Sequence, residues 1–141
     1  MVWFSIALRL GMSYALPMKR DLWNYEINAR DQGYQFVAGV DEAGRGPLAG
    51  PVVAAAVVLP MDVFLEGLDD SKKISPAKRD ELFPKIQKMV HGIAVVNTKV
   101  IDEINILQAA RLAMKQAVEK ISSDTDLLLI DGNQKIDSSI E

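Results

Sequence analysis

Apolar residues in this chain form several short runs that have the composition of β-strands. The runs at residues 36–40, 51–59, 92–98 and 127–130 are rich in small, β-branched or leucine side chains and are bordered by turn-forming residues. Runs of this length with such borders predict strands that are largely buried. The sequence therefore predicts four strands.

Stretches with helical spacing of apolar residues separate these strands. Residues 21–32 predict a short helix, and residues 76–90 predict a second one, with Ser75 as its N-cap and Pro76 as its first residue. The longest helix is predicted from about residue 102 to 121, where apolar residues recur every three or four positions. Strands and helices in this alternation predict an α/β fold.

The connections between the strands predict a mixed sheet. The first two strands are joined by a short corner rich in glycine and proline, so we expect them to pair as an antiparallel hairpin. The last strand follows the longest helix, and such a connection normally leads to a parallel strand in the same sheet. If it lies beside the first strand, Asp131 reaches Asp41 at the carboxyl edge, where open α/β sheets place their ligands.

Two acidic residues, Asp41 and Glu42, stand at the end of the first predicted strand. Adjacent carboxylates repel each other and lose hydration when partly buried, so they stay ionised most easily where a cation compensates them. Together with Asp131 they suit Mg²⁺ or Mn²⁺, which bind carboxylate and phosphate oxygens and keep several waters. Two such ions about 3.5 to 4 Å apart can stabilise both the attacking and the leaving oxygen of a phosphoryl displacement.

Composition narrows the function classes. The chain has 141 residues, of which 49% are hydrophobic, and this is enough for one domain with a core. Its 16 basic and 19 acidic residues give a net charge of −3, so a nucleic-acid partner has to be held by a local patch or by metal ions. Cysteine is absent, which excludes disulfides, thiolate catalysis and cysteine-bound zinc and agrees with a cytoplasmic location.

The first seventeen residues are an apolar stretch that Arg9 interrupts. The stretch is too short to span a bilayer, and no basic segment precedes it as in a secretory signal. We therefore interpret residues 1–17 as an N-terminal extension without a targeting role, with Met12 or Met18 as alternative starts, and residues 18–141 as the domain. We expect a cytoplasmic monomer with no membrane partner.

Four motifs follow one another along the chain. They are GVDEAGRGPLAGPVV at 39–53, DSKK at 70–73, NILQA at 105–109 and DGN at 131–133. Together they resemble the ordered signatures of the ribonuclease HII family, and the first is specific because of its length. The resemblance covers nearly everything from about Asp21 onward. It implies a ribonuclease H-like fold, with a mixed sheet flanked by helices.

The resemblance also implies an activity. Members of this family are endonucleases that cut the RNA strand of RNA–DNA hybrids, including 5′ of a single ribonucleotide in duplex DNA, as in ribonucleotide excision repair. By resemblance, Asp41, Glu42 and Asp131 match three of the four acidic catalytic residues, which bind Mg²⁺ or Mn²⁺. The implied partner is an RNA–DNA hybrid or a ribonucleotide-containing DNA duplex.

By the same resemblance, Gly44, Arg45 and Gly46 match the loop that senses the ribose 2′-hydroxyl and the adjoining phosphate at an RNA-to-DNA junction. Lys72 matches a phosphate contact. The residue types suit these roles, because glycines let a backbone approach a ribose and the 2′-hydroxyl is what distinguishes RNA from DNA. Arginine adds a forked donor for phosphate.

The chain departs from the family pattern after Asp131. Family members continue to a fourth aspartate, a substrate-stacking tyrosine and C-terminal helices, whereas the surroundings of Asp137 do not match the motif of the fourth acid. We therefore expect the chain to be an amino-terminal portion, incomplete at the C-terminus. We expect little metal-dependent cleavage from it unless the remaining segment is restored.

Other interpretations stay open for the same residues. The spacing of Gly44 and Gly46 after a strand also fits a dinucleotide-binding fingerprint, but Pro47 and Pro51 disfavour the helix that it requires. Asp131 by itself also fits the start of an Asp-Gly turn. Two further function classes are a related DNA nuclease or strand-transfer enzyme of the same fold, and a catalytically impaired fragment that only binds nucleic acid.

Overall fold

A four-stranded sheet with a long helix on one face lies at the centre of the structure. The computed structural model describes residues 24–46, 49–58, 65, 67–68, 73–131 and 135–140. The elements are, in chain order, α1 Asn24–Asp31, β1 Val37–Ala43, β2 Val52–Val58, α2 Pro76–Ile86, β3 His91–Val96, α3 Thr98–Glu119, a 3₁₀ turn Ser122–Asp124 and β4 Leu127–Ile130. Each predicted strand and helix is found, with ends that differ by a few residues.

The sheet is mixed, with the strand order β3-β2-β1-β4. β1 pairs with β2 in antiparallel orientation, and so does β2 with β3, whereas β4 runs parallel to β1. The predicted hairpin, the predicted parallel strand and the α/β fold class are therefore confirmed. β4 follows α3, and a strand that returns to the sheet through a helix normally runs parallel to its neighbour.

α3 covers one face of the sheet, and the main core lies between them. Small side chains on both sides of this interface, such as Ala56, Ala94 and Ala113, are buried in the core. They allow the helix to approach the strands closely. At Gly92 a Cβ atom would meet the carbonyl oxygen of Ala117, so β3 and α3 leave no room for a side chain there.

α3 begins earlier than its apolar spacing predicts, at Thr98 rather than near residue 102. The cause is an N-cap, because the side chain of Asn97 accepts the backbone N–H of Val100 at 3.1 Å. Asn105 then interrupts the helix with a φ of 66°. Its side chain accepts the N–H of Leu107 at 3.0 Å, so the second half of α3 has a cap of its own.

α2 ends at Ile86, and the predicted continuation to about residue 90 is wrong. Its start is as predicted, since the Ser75 hydroxyl accepts the N–H of Lys78 at 3.2 Å. After Ile86 the chain turns toward the sheet, where the N–H of Val58 donates to the carbonyl of Val90 at 2.9 Å. Pairing with β2 therefore replaces the last predicted turn of the helix.

Some residues singled out in the sequence lie outside the described residues. They include Pro47, Lys72, residues 132–133 of the last motif and the whole of residues 1–23, so the phosphate contact, the N-terminal extension and the alternative starts stay predictions. None of the helices in the described ranges combines the length and the apolar character that crossing a lipid bilayer requires.

Candidate active site

β1 and β4 end side by side at the carboxyl edge of the sheet. Their register pairs Val40 with Ile130, the residues immediately before Asp41 and Asp131. The N–H of Asp131 donates to the carbonyl oxygen of Val40 at 2.9 Å, which extends the parallel pairing beyond the last strand residue. The structure thus places the two aspartates next to each other, although they lie ninety positions apart along the chain.

The pleat of β1 separates Asp41 from Glu42, because successive side chains of a strand point to opposite faces. Glu42 pairs across the hairpin with Ala54, which is part of the core under α3. Asp41 pairs with Ala55 and faces away from α3. The two neighbouring acids of the motif therefore occupy different surroundings.

The pKa of Asp41 rises from its ordinary value of 3.8 to about 6. Burial of the carboxyl group is the main cause. The N–H of Glu42, which donates to Asp41 Oδ1 at 2.7 Å, opposes the rise, and the charges of Asp131 and Glu42 add to it. Asp41 is thus a half-buried carboxylate without enough positive charge around it, and a cation placed there would favour its ionised form.

Glu42 has a different partner, because Arg45 Nη1 lies 2.6 Å from Glu42 Oε1. The Glu42 side chain is 10% exposed and that of Arg45 is 41% exposed, so the arginine shields the acid from solvent. Gly44 allows the turn that brings them together, since it has a φ of +98° and a Cβ there would meet the carbonyl oxygen of Pro51.

Asp41 and Asp131 suit a hard divalent cation. Mg²⁺ is usually bound by one or two carboxylates, and water and substrate phosphate oxygens complete its shell. Within the described ranges, no group of three histidine, cysteine or acidic side chains has an arrangement that could hold a metal ion. The structure thus brings together two of the three predicted ligands, while Glu42 is held by Arg45.

Asp137 lies apart from this pair. Its carboxylate meets Lys115 Nζ of α3 at 2.8 Å, and its side chain is 92% exposed. The lysine lowers the pKa of Asp137, which is the opposite of the shift at Asp41. Asp137 therefore belongs to a surface ion pair, in agreement with the mismatch between its surroundings and the motif of the fourth acid.

Comparison with known proteins bears on what this edge of the sheet does. A family model described as Ribonuclease HII matches residues 38–141. This chain belongs to the ribonuclease HII family. It is 56% identical over 113 residues to the ribonuclease HII of Geobacter sulfurreducens, covering 79% of this chain and 52% of the relative. With that of Geotalea uraniireducens it shares 55% identity over 121 residues, covering 84% and 56%.

The chain thus spans about half the length of the curated ribonuclease HII proteins that it matches. Solved structures agree with the fold. The ribonuclease H2 from Pyrococcus horikoshii OT3 aligns with a TM-score of 0.55 and 29% identity over 69% of this chain and 51% of that chain. Bst-RNase HIII in complex with Mn²⁺ aligns with a TM-score of 0.61 and 21% identity over 76% and 40%. The ribonuclease H-like fold is therefore confirmed.

One contact between the strands that carry Asp41 and Asp131 was not predicted from the sequence. The carboxylate of Asp126, directly before β4, accepts hydrogen bonds from the backbone N–H groups of Gln35 and Phe36, directly before β1. The only sequence feature that could have indicated this contact is an aspartate directly before an apolar strand. That feature is not specific, because aspartates are common in turns whether or not a neighbouring strand binds them.

Proposed function

We propose that this chain carries part of the active site of an endonuclease that hydrolyses the RNA strand of RNA–DNA hybrids, including 5′ of single ribonucleotides in duplex DNA. Membership in the ribonuclease HII family supports the reaction class. The observation that carries the proposal is the β1–β4 register, since it brings Asp41 and Asp131 together at the edge of the sheet.

Asp41, Glu42 and Asp131 would hold Mg²⁺ or Mn²⁺, with two ions as the full complement. Bound ions supply stabilisation of the negative charge on the attacking and leaving oxygens of the phosphodiester. The complex of Bst-RNase HIII with Mn²⁺ supports such a site in this fold. Asp41 and Asp131 provide the carboxylates, and a substrate phosphate that binds Arg45 would release the carboxylate of Glu42.

Gly44, Arg45 and Gly46 are proposed to recognise the ribose and the adjoining phosphate. Arg45 keeps part of its side chain in solvent, where a phosphate can reach it. At Gly46 no described atom other than those of its chain neighbours lies within 4 Å of the position that a Cβ would take. A glycine backbone with this space beside it supports a close approach by a 2′-hydroxyl. Lys72 is proposed as a further phosphate contact.

The substrate would be an RNA–DNA hybrid or a ribonucleotide-containing DNA duplex, bound by a cytoplasmic monomer that acts in ribonucleotide excision repair. The chain as a whole is acidic, with a net charge of −3. Binding then depends on the local cations Arg45 and Lys72 and on metal ions rather than on a general basic surface.

A cleavage assay with paired substrates tests the proposal. Since the chain spans about half the length of its relatives, it is assayed alone and joined to the carboxyl-terminal half of the Geobacter sulfurreducens protein. The substrates are one DNA duplex with a single ribonucleotide and the same duplex without it. We expect the joined protein to cut only the first duplex, 5′ of the ribonucleotide, and the chain alone to cut little.

Substitutions in the joined protein identify the site. Asp41→Asn and Asp131→Asn are each expected to lower cleavage by about 100-fold or more, since loss of charge stabilisation by metal ions is worth several kcal/mol. Asp137→Asn removes one acidic charge from a surface ion pair and should keep full activity. Equal cleavage of both duplexes would indicate a DNA nuclease instead, and binding without cleavage would indicate a fragment that only binds.

A further inference from the structure

The side chains of β4 are too similar to one another to fix its register strongly. The strand consists of Leu127, Leu128, Leu129 and Ile130, and all four are half-buried. A shift by one residue would exchange apolar side chains for other apolar side chains on both faces, so hydrophobic patterning specifies the register only weakly. Among the strands that the structure describes, β4 pairs only with β1.

Asp126, directly before β4, makes the contact that distinguishes one register from the others. Its Oδ2 accepts the N–H of Gln35 at 2.8 Å and its Oδ1 accepts the N–H of Phe36 at 2.9 Å. Its own N–H donates to the carbonyl of Phe36 at 2.9 Å. Gln35 and Phe36 thus offer two backbone N–H donors and one carbonyl acceptor, and Asp126 offers two carboxylate oxygens and one N–H donor that match them. A β4 strand shifted by one residue would lose these bonds.

Arg30 of α1 reinforces this contact. Its Nη1 donates to the carbonyl of Gln35 at 3.2 Å. Burial lowers the pKa of Arg30, and the negative charge of Asp126 opposes this lowering, so the two side chains attract each other. Hydrogen bonds to a carboxylate are stronger than those between neutral groups, and those of Asp126 link the residues before β1 to the start of β4. The bond from Arg30 to the carbonyl of Gln35 joins α1 to the same segment.

The consequence appears at the other end of β4, at Asp131. A shift by one residue would move Asp131 by about 3.3 Å along the sheet and turn its side chain to the opposite face. A Mg²⁺ ion needs carboxylate oxygens at about 2.0 to 2.1 Å, so Asp41 and Asp131 could no longer share one.

We propose that Asp126 is a positioning residue that sets the register of β4 on β1 and thereby holds Asp131 beside Asp41. Its effect on Asp131 as a metal ligand rests on the proposed function. Its effect on the register does not, and the two are tested separately.

Engineered cysteine pairs test the register, because the chain has no cysteine of its own. Val37 and Leu127 are partners in the observed register, so Val37→Cys with Leu127→Cys reports that register. Val37→Cys with Leu128→Cys forms a disulfide only after a shift by one residue. Each pair is oxidised in three backgrounds: the unchanged chain, Asp126→Asn, and Asp124→Asn as the control that removes the same charge from the adjoining turn.

We expect only the Val37–Leu127 pair to form in the unchanged chain and in the Asp124→Asn background. In the Asp126→Asn background, one of the two accepted hydrogen bonds is lost, and the yield of the Val37–Leu128 disulfide should rise by about tenfold. The same disulfide pattern in the Asp126→Asn and Asp124→Asn backgrounds would overturn the proposal. So would global unfolding of Asp126→Asn alone, seen by circular dichroism, since Asp126 would then support the whole fold rather than one register.

Mn²⁺ titration of the cysteine-free variants separates this inference from the proposed function. If the disulfides show a shifted register and Asp126→Asn also weakens Mn²⁺ binding relative to Asp124→Asn, both are supported. If the register shifts while Mn²⁺ binds equally well, Asp126 still sets the register but the placement of Asp131 as a metal ligand is wrong.

Discussion

At the scale of single residues, the acidic side chains near the carboxyl edge differ in what surrounds them. Burial, with a smaller contribution from the charge of Asp131, raises the pKa of Asp41 to about 6. Glu42 is paired with Arg45, and Asp137 lies at the surface. Burial and ion pairing, rather than residue type, therefore single out Asp41 as the carboxylate that most needs a cation.

Asp41→Asn is expected to stabilise the metal-free chain at pH 8, by about 1 to 2 kcal/mol in the free energy of unfolding. The folded-state pKa of Asp41, about 6, lies above the ordinary value of 3.8. The stability that Asp41 contributes is therefore full below pH 3.8 and is lost as the pH rises through about 6. The whole shift would correspond to about 3 kcal/mol, and partial exposure to solvent reduces it.

Urea unfolding in EDTA at pH 8 and at pH 4.5 measures this effect. The advantage of Asp41→Asn should fall to less than about half at the lower pH, because the folded chain then carries a protonated Asp41. Asp137→Asn is the control, and it should bring no gain at pH 8 because Lys115 lowers the pKa of Asp137. A variant Asp41→Asn that is less stable than the unchanged chain at pH 8 would contradict the prediction.

The two glycines around Arg45 are expected to respond differently to alanine. Gly44→Ala should lower the free energy of unfolding by about 2 kcal/mol or more, since its φ is positive and a Cβ would collide with the carbonyl of Pro51. Gly46→Ala should change it by less than about 0.5 kcal/mol, because no described residue beyond its chain neighbours lies within 4 Å of the added Cβ. Urea unfolding of both variants measures the contrast.

The same pair separates folding from recognition. In the joined protein, Gly46→Ala should reduce the preference for the ribonucleotide-containing duplex while the fold stays intact. Equal destabilisation by both substitutions would show that the loop packs differently from the structure. A Gly46→Ala variant with unchanged substrate preference would remove Gly46 from the proposed recognition loop.

At the scale of elements, α3 connects β3 to β4, and its close packing on the sheet fixes the position of this connection. Ala94 and Val96 of β3 face α3, while Ile93 and Val95 are exposed on the other side. This alternation is what a strand with one covered face requires. At Gly92 β3 and α3 come very close to each other, because the backbone carbonyl of Ala117 lies where a side chain at position 92 would be.

Gly92→Ala is therefore expected to lower the free energy of unfolding by about 2 to 3 kcal/mol, since an added methyl group has to push α3 away from β3. Val95→Ala is the control in the same strand. Its side chain is 58% exposed, and the loss there should stay below about 1 kcal/mol. Thermal or urea unfolding gives both values, and a Gly92→Ala variant as stable as Val95→Ala would show that α3 does not lie this close.

At the scale of the whole molecule, the sheet brings distant parts of the chain to one edge. Asp41 lies near the end of β1 and Asp131 directly follows β4, and α3 connects the β1–β2–β3 part of the sheet to β4. A ligand that bridges Asp41 and Asp131 would bind the folded chain and not the unfolded one. Binding of that kind stabilises the folded state by mass action.

Mn²⁺ is accordingly expected to raise the free energy of unfolding of the chain by about 2.7 kcal/mol at a concentration of 100 times its dissociation constant, which shifts the midpoint of urea unfolding upward. Removal of the metal with EDTA should reverse the gain. Asp131→Asn should abolish it, and Asp137→Asn should keep it because that residue lies in a surface ion pair. An Asp131→Asn variant that Mn²⁺ still stabilises fully would place the ion elsewhere.

Much of the fold could be predicted from local patterns, and the errors have local causes too. The four strands were found because their apolar runs are short and bordered by turn residues. The start of α3 was misplaced because the capping residue Asn97 precedes the first apolar repeat. The end of α2 was misplaced because Val90 pairs with β2, a contact that helical periodicity does not contain.

The sequence by itself determined the elements, the hairpin, the parallel direction of β4 and the motifs that indicate the family, because all of these depend on neighbouring residues or on one connection. Only the tertiary structure decided which carboxylates come together. It paired Asp41 with Asp131 and Glu42 with Arg45, and it revealed the contacts of Asp126. The physical reason is that register and side-chain direction arise between strands far apart in the chain, and four similar apolar residues in β4 specify either only weakly.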